Sequence, residues 1–209
     1  IVLTGTSWES DLEVHYIKQA KKFKIIAISY LDHWANHRER FGFPDENWLE
    51  NLPSYIWCGD EACLEVCRQL EFPEEKLKLI TNEYFNEIIE KNKNSGIEEE
   101  NNTILYLTEP IEAHMEKQFK NGMHLGYTEF SAIEYFFEEI KKIYDTPNKV
   151  TLRLHPQEKK DKYNHIIEKY KTIYDITISN GESLDSDILR HSSIIGCTTT
   201  ALVVSILLK

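Results

Sequence analysis

Long apolar runs are missing from this chain. The longest, Ala201 to Leu208, is far short of the roughly 20 residues that a membrane-spanning helix needs. Membrane association is therefore expected to be peripheral at most. No signal peptide is expected either: Ile1-Val2-Leu3-Thr4 is too short for an apolar signal core, and no basic segment precedes it. Positive charge is in deficit. With 24 Lys and Arg against 35 Asp and Glu, the formal net charge is −11, which argues against broad nucleic-acid binding. The four cysteines form no C-x-x-C pair and suggest no disulfide framework, so a reduced, cytoplasmic protein is expected. No nucleophile elbow, P-loop or glycine-rich dinucleotide fingerprint occurs.

What remains is a globular composition. A chain of 209 residues that is 41% apolar holds one large domain or two small ones. Ile1–Thr4 predicts a short strand, and Glu9 to Phe23 a helix with Leu12, Tyr16, Ala20 and Phe23 on its apolar face. The run Ile25 to Tyr30 predicts a strand covered on both faces. Further strands are expected at Ser54–Cys58 and Leu77–Thr81, with a helix from Glu61 to Leu70. Asn82 to Asn102 turns rich in Asn, Glu and Lys, which reads as one short helix and then a solvated linker. A boundary near residue 100 follows, giving lobes 1–100 and 101–209.

The second half restarts the alternation. Strands are expected at Thr103–Leu107, Val150–Leu154, Ile176–Ile178 and Ser193–Ile195, and helices at Glu129–Tyr144, Lys160–Lys171 and Leu184–Arg190. Strands alternating with helices imply parallel sheets with right-handed crossovers. The fold class is therefore α/β, two Rossmann-like lobes facing a cleft.

Two strand ends carry the candidate chemistry. One delivers His155, Pro156 and Glu158, Pro156 stopping the ladder because it has no N–H to donate. The other runs through Gly196-Cys197 into Thr198, Thr199 and Thr200 at the start of an apolar helix, a phosphate cradle in outline. Together they suggest a nucleotide phosphate site, with His155 donating to a phosphate and, as imidazolium, adding charge. The bland alternatives are a surface histidine, simple N-capping by the threonines, and a first-turn carboxylate for Glu158, which would otherwise hold a ribose or sugar hydroxyl. Candidate bases for deprotonating an acceptor are Asp32, Glu9 and Asp11. Asp32 is preferred because it directly follows a buried strand, although an ion pair with Arg38 or Arg40 is a close alternative. Asp185-Ser186-Asp187 has the form of a metal-binding D-x-D but sits where a helix start attracts carboxylates anyway. Cys58, Cys63 and Cys67 suit metal ligation by residue type. The one-turn spacing of Cys63 and Cys67 beside Leu64 and Leu70 favours core packing instead. No metal and no cofactor are expected.

Leu154-His155-Pro156-Gln157-Glu158, followed by Ile195-Gly196-Cys197-Thr198-Thr199-Thr200-Ala201-Leu202, resembles the nucleotide-binding lobe of two-domain GT-B glycosyltransferases of bacterial surface polysaccharides. The likeness is to enzymes with CMP- or CDP-linked donors, such as sialyltransferases and glycerophosphotransferases. It implies donor-phosphate contacts from His155, Pro156, Thr198, Thr199 and Thr200, a nucleotide-linked donor, a carbohydrate acceptor and no metal. Leu79-Ile80-Thr81-Asn82-Glu83-Tyr84-Phe85 is similar to a strand and turn of nucleotide-sugar 2-epimerases. Against those families both lobes look incomplete, so a trimmed chain is expected. The expected function is transfer of a sugar or glycerophosphate. The alternatives are a 2-epimerase or a non-catalytic nucleotide-binding domain of the same fold.

Overall fold

The computed structural model describes residues 1–7, 10–142, 144 and 149–209. They form two compact units, Ile1–Tyr84 and Phe85–Lys209. In the first, β1 (Val2–Thr4), β2 (Ala27–Leu31), β3 (Tyr55–Cys58) and β4 (Leu77–Leu79) pair in that order, all parallel. α1 (Leu12–Lys22) and α2 (Glu61–Gln69) are the crossovers. The Asp60 carboxylate starts α2 by accepting the Cys63 amide at 2.7 Å, and the helix then buries Cys63, Leu64 and Cys67.

Two expectations for this unit need correction. α1 buries Val14, Ile17 and Ala20, whereas Leu12, Tyr16 and Phe23 are exposed. Two adjacent stripes of the helix both carry apolar residues, and only the sheet beneath decides between them. β2 starts at Ala27, not Ile25. Lys24 takes a left-handed turn at φ 56°, which leaves Ile25 and Ile26 exposed ahead of the ladder. Within β2, Ala27, Ser29 and Leu31 form the buried face.

In the second unit the strand order is β7 (Ile176–Ile178), β6 (Lys149–Arg153), β5 (Glu100–Leu107), β8 (His191–Ile195), again all parallel. β5 is the centre of this sheet. Ile104 and Tyr106 join the core under α5 (Glu129–Glu139) and α6 (Asn164–Tyr170), which includes Ile133, Phe137, Tyr163 and Ile166. Leu105 and Leu107 face the opposite core, with Ile188 from α7 (Leu184–Arg190) and Val204 from α8 (Thr200–Leu208). Alternate residues filling two cores explain why Thr103–Leu107 is apolar without a gap.

The seam between the units falls at 84/85, well before residue 100. Phe85 and Ile88 of α3 (Glu83–Asn92) pack against the α7–α8 core, so the polar composition beyond Ile89 marks a solvated helix end and strand entry. α4 (Ile111–Phe119), which the sequence reading missed, follows β5 directly.

Candidate functional site

In the second unit the chain moves outward from β5 to β6 and β7, then returns to β8 on the other side of β5. The strand order therefore reverses between β5 and β8. In open α/β sheets the crevice outside the carboxyl ends at such a reversal is the usual ligand site. The residues there are Thr108-Glu109 after β5, Leu154-His155-Pro156 after β6, and Gly196 to Thr199 after β8. His155, Pro156 and Thr199 line one cavity of about 220 Å³, together with Thr108 and Arg153. His155 and Thr199 thus share one space, reached from two strands, whereas Thr198 and Thr200 do not line it.

The imidazole has a defined orientation. Its Nδ1 accepts the Gln157 amide at 3.3 Å, so in the neutral ring Nε2 carries the proton. Burial lowers its pKa, with the Glu158 carboxylate opposing the shift and His114 reinforcing it. The shift favours the neutral ring with its proton on Nε2.

The cradle after β8 is already engaged by a residue the sequence reading passed over. Glu109 Oε1 accepts the amides of Thr198 at 2.8 Å and Cys197 at 3.2 Å, and Oε2 accepts the Thr198 hydroxyl at 2.9 Å. A carboxylate sits where an anion is favoured by free N–H groups and the helix dipole. Thr199 is the N-cap of α8, its hydroxyl accepting from the Ala201 amide at 3.3 Å. Thr200 is the first helical residue. Only a structural signal marked Glu109 in advance: it is the acid immediately after the central strand.

Glu158 has a different role from the one expected. Its carboxylate is 1% exposed and accepts Lys162 Nζ at 2.7 Å, Tyr163 Oη at 2.7 Å, the His155 amide at 3.0 Å, and the Thr108 hydroxyl. Lys162 is also paired with Glu129. Burial alone would raise the Glu158 pKa, but the bonds from Lys162, Thr108, Tyr163 and His155 outweigh it and hold the carboxyl below its ordinary range. With its oxygens committed inside the protein, Glu158 is a fastener for the His155 turn and not an open sugar ligand. The D-x-D pair is likewise engaged. Asp185 meets Lys91 and Asn92, both at 2.9 Å, while Asp187 takes Arg153 and the Ser179 hydroxyl. Asp187 thereby holds Arg153 in the cavity wall, a half-buried cation that the sequence reading also missed.

Next to the cradle is a larger cavity of about 600 Å³ lined by Tyr106, Tyr127, Tyr135, Phe136 and Ile140, with Gly196 and Cys197 at its edge. Its volume lies in the range of small-molecule sites.

Of the candidate bases in the first unit, Asp32 immediately follows β2, its side chain 63% exposed and 3.7 Å from Arg40. Asp11 is the exposed N-cap residue of α1, with no capping bond from its side chain. Glu9 lies outside the described residues. Among the described residues, the side chains able to share a metal ion are in this unit as well: His37, Cys63 and Cys67.

One solved structure similar to this chain is Methanocaldococcus jannaschii UDP-GlcNAc 2-epimerase, crystallised with UDP-GlcNAc and UDP. The two share 17% identity at a TM-score of 0.59, over 99% of this chain and 57% of that one. The fold is GT-B-like. The chain thus spans little more than half the length of that structure. No family model matches the chain. No curated protein matches it either. Among the described residues, no helix of this GT-B-like chain is long and apolar enough to cross a membrane.

Proposed function

We propose that this chain binds a nucleotide-linked sugar or glycerophosphate donor in its second unit and serves its transfer to a carbohydrate acceptor. The observation carrying this reading is the shared cavity of His155 and Thr199 at the β5/β8 reversal, beside backbone amides that hold the Glu109 carboxylate. Donor transfer needs the leaving phosphate stabilised, and a neutral Nε2–H, the α8 start and the nearby Arg153 supply that. The aromatic cavity next to Gly196 is the candidate seat for the nucleobase. Pro156 and Thr198–Thr200 are the proposed walls of the phosphate site, and Asp32 the proposed base for the acceptor hydroxyl, ahead of Asp11 and Glu9. Transfer without a metal cofactor is part of the proposal.

The test is a nucleotide panel (UDP, CDP, CMP, GDP) followed by thermal unfolding. A bound nucleotide at 100 times its Kd should stabilise the chain by about 2.7 kcal/mol. No shift with any of them overturns the proposal. A second reading, a 2-epimerase, is favoured by the likeness to the archaeal enzyme. Incubation with UDP-GlcNAc separates the two: inversion at C2 seen by NMR marks an epimerase, whereas acceptor-dependent release of free UDP with the sugar joined to the acceptor marks a transferase.

A further inference from the structure

Three thiols and an imidazole converge in the core of the first unit. Cys58 ends β3, Cys63 and Cys67 lie one turn apart on α2, and His37 comes from the segment after β2; all four are almost completely buried. The ligand atoms of His37, Cys63 and Cys67 all lie within 4.8 Å of one another. Cys58 Sγ is 3.9 Å from Cys67 Sγ, and Cys67 Sγ is 3.5 Å from His37 Nδ1. Tetrahedral zinc, with Zn–S near 2.3 Å and Zn–N near 2.05 Å, requires S···S of about 3.8 Å and S···N of about 3.6 Å. Two of these edges, Cys58–Cys67 and Cys67–His37, match the observed separations, and Cys63 lies within 4.8 Å of Cys67 and His37.

The imidazole is set for ligation by its other nitrogen. His37 Nε2 lies 2.7 Å from the His33 carbonyl, which can only accept, so the proton is on Nε2 and the Nδ1 lone pair faces Cys67. A ring N–H held by a backbone carbonyl is the usual support of a metal-binding histidine. Cys63 is in the first turn of α2, where the helix dipole favours a thiolate.

We infer that His37, Cys63 and Cys67 form the preformed part of a structural zinc site in the first unit, which Cys58, beside Cys67, completes by a side-chain rotation. Binding releases the three thiol protons and leaves one excess negative charge. The buried Arg40 guanidinium, within electrostatic reach of Cys63, lies on hand to balance it. Arg40 also holds the Thr6 carbonyl at 2.6 Å and pairs with Asp32. The ion therefore pins the segment after β2 to α2 and steadies the residues that follow Leu31.

The test uses the untagged chain purified under reducing conditions. Elemental analysis should find about one equivalent of zinc per chain, or uptake of one after dialysis against zinc. Cobalt(II) in its place should give thiolate-to-cobalt charge-transfer absorption and the intense d–d bands of a tetrahedral site. Cys67→Ser should weaken the charge-transfer band, His37→Gln should shift the d–d bands but keep the thiolate band, and Cys197→Ser should change neither. The cobalt spectrum of the unaltered chain needs no variant to fold. A natively folded chain that gives no such spectrum, with all four thiols free, overturns the inference. So does a Cys58–Cys67 disulfide in the freshly purified reduced protein.

Discussion

Glu158→Ala tests how far the donor-side geometry depends on one buried carboxylate. The deletion leaves the Tyr163 hydroxyl, on a fully buried side chain, without its acceptor. It also removes one of the two carboxylates that compensate Lys162, whose side chain is 19% exposed. An unsatisfied buried hydroxyl costs about 1–3 kcal/mol, and breaking a buried ion pair about 3–5 kcal/mol when nothing replaces the partner. Because Glu129 still holds Lys162, the lower part of that range applies, and the expected loss is about 3–4 kcal/mol. Urea unfolding followed by a probe in the second unit measures it. A loss under about 1 kcal/mol would refute the assignment of Glu158 as the fastener of the His155 turn. The pH dependence has a defined sign. The folded carboxyl titrates below its unfolded value of about 4.3, so its contribution is complete above that pH and disappears as pH falls through the depressed folded value. The variant's stability should be correspondingly flatter in acid than that of the parent chain.

His155→Ala should weaken nucleotide binding by about 1.5–3 kcal/mol, the range for a hydrogen bond to a charged group, with unchanged calorimetric affinity removing the residue from the site. Because burial keeps this ring neutral, affinity in the parent chain should stay level from pH 7 upward, and a steep fall there would show that the imidazolium is needed. Glu109→Gln removes a negative charge that competes for the cradle amides, and should tighten pyrophosphate or nucleotide binding about fivefold, read by titration. Weaker binding would show that Glu109 assists the ligand instead of displacing it. Asp32→Asn should leave nucleotide affinity intact and abolish transfer to acceptor; normal turnover would rule Asp32 out as the base.

The parallel α/β alternation, the strand ends bearing His155 and Thr198–Thr200, and the inward faces of α5 and α6 were legible because each depends on local periodicity or on one residue's backbone chemistry. Tyr163, Ile166 and Tyr170 are buried as the helical spacing implies. Where two stripes of one helix were both apolar, as in α1, spacing alone had no basis for choosing. The roles of individual carboxylates were equally out of reach. Glu109, Glu158, Asp185 and Asp187 share one chemistry, but their most distant described partners lie 89, 50, 94 and 34 residues away in the sequence. The chain by itself therefore determined the layers and the strand ends. Tertiary folding decided which acid became a fastener, which one occupies the anion cradle, and that His37 meets Cys63 and Cys67, since these depend on distances between segments remote in sequence.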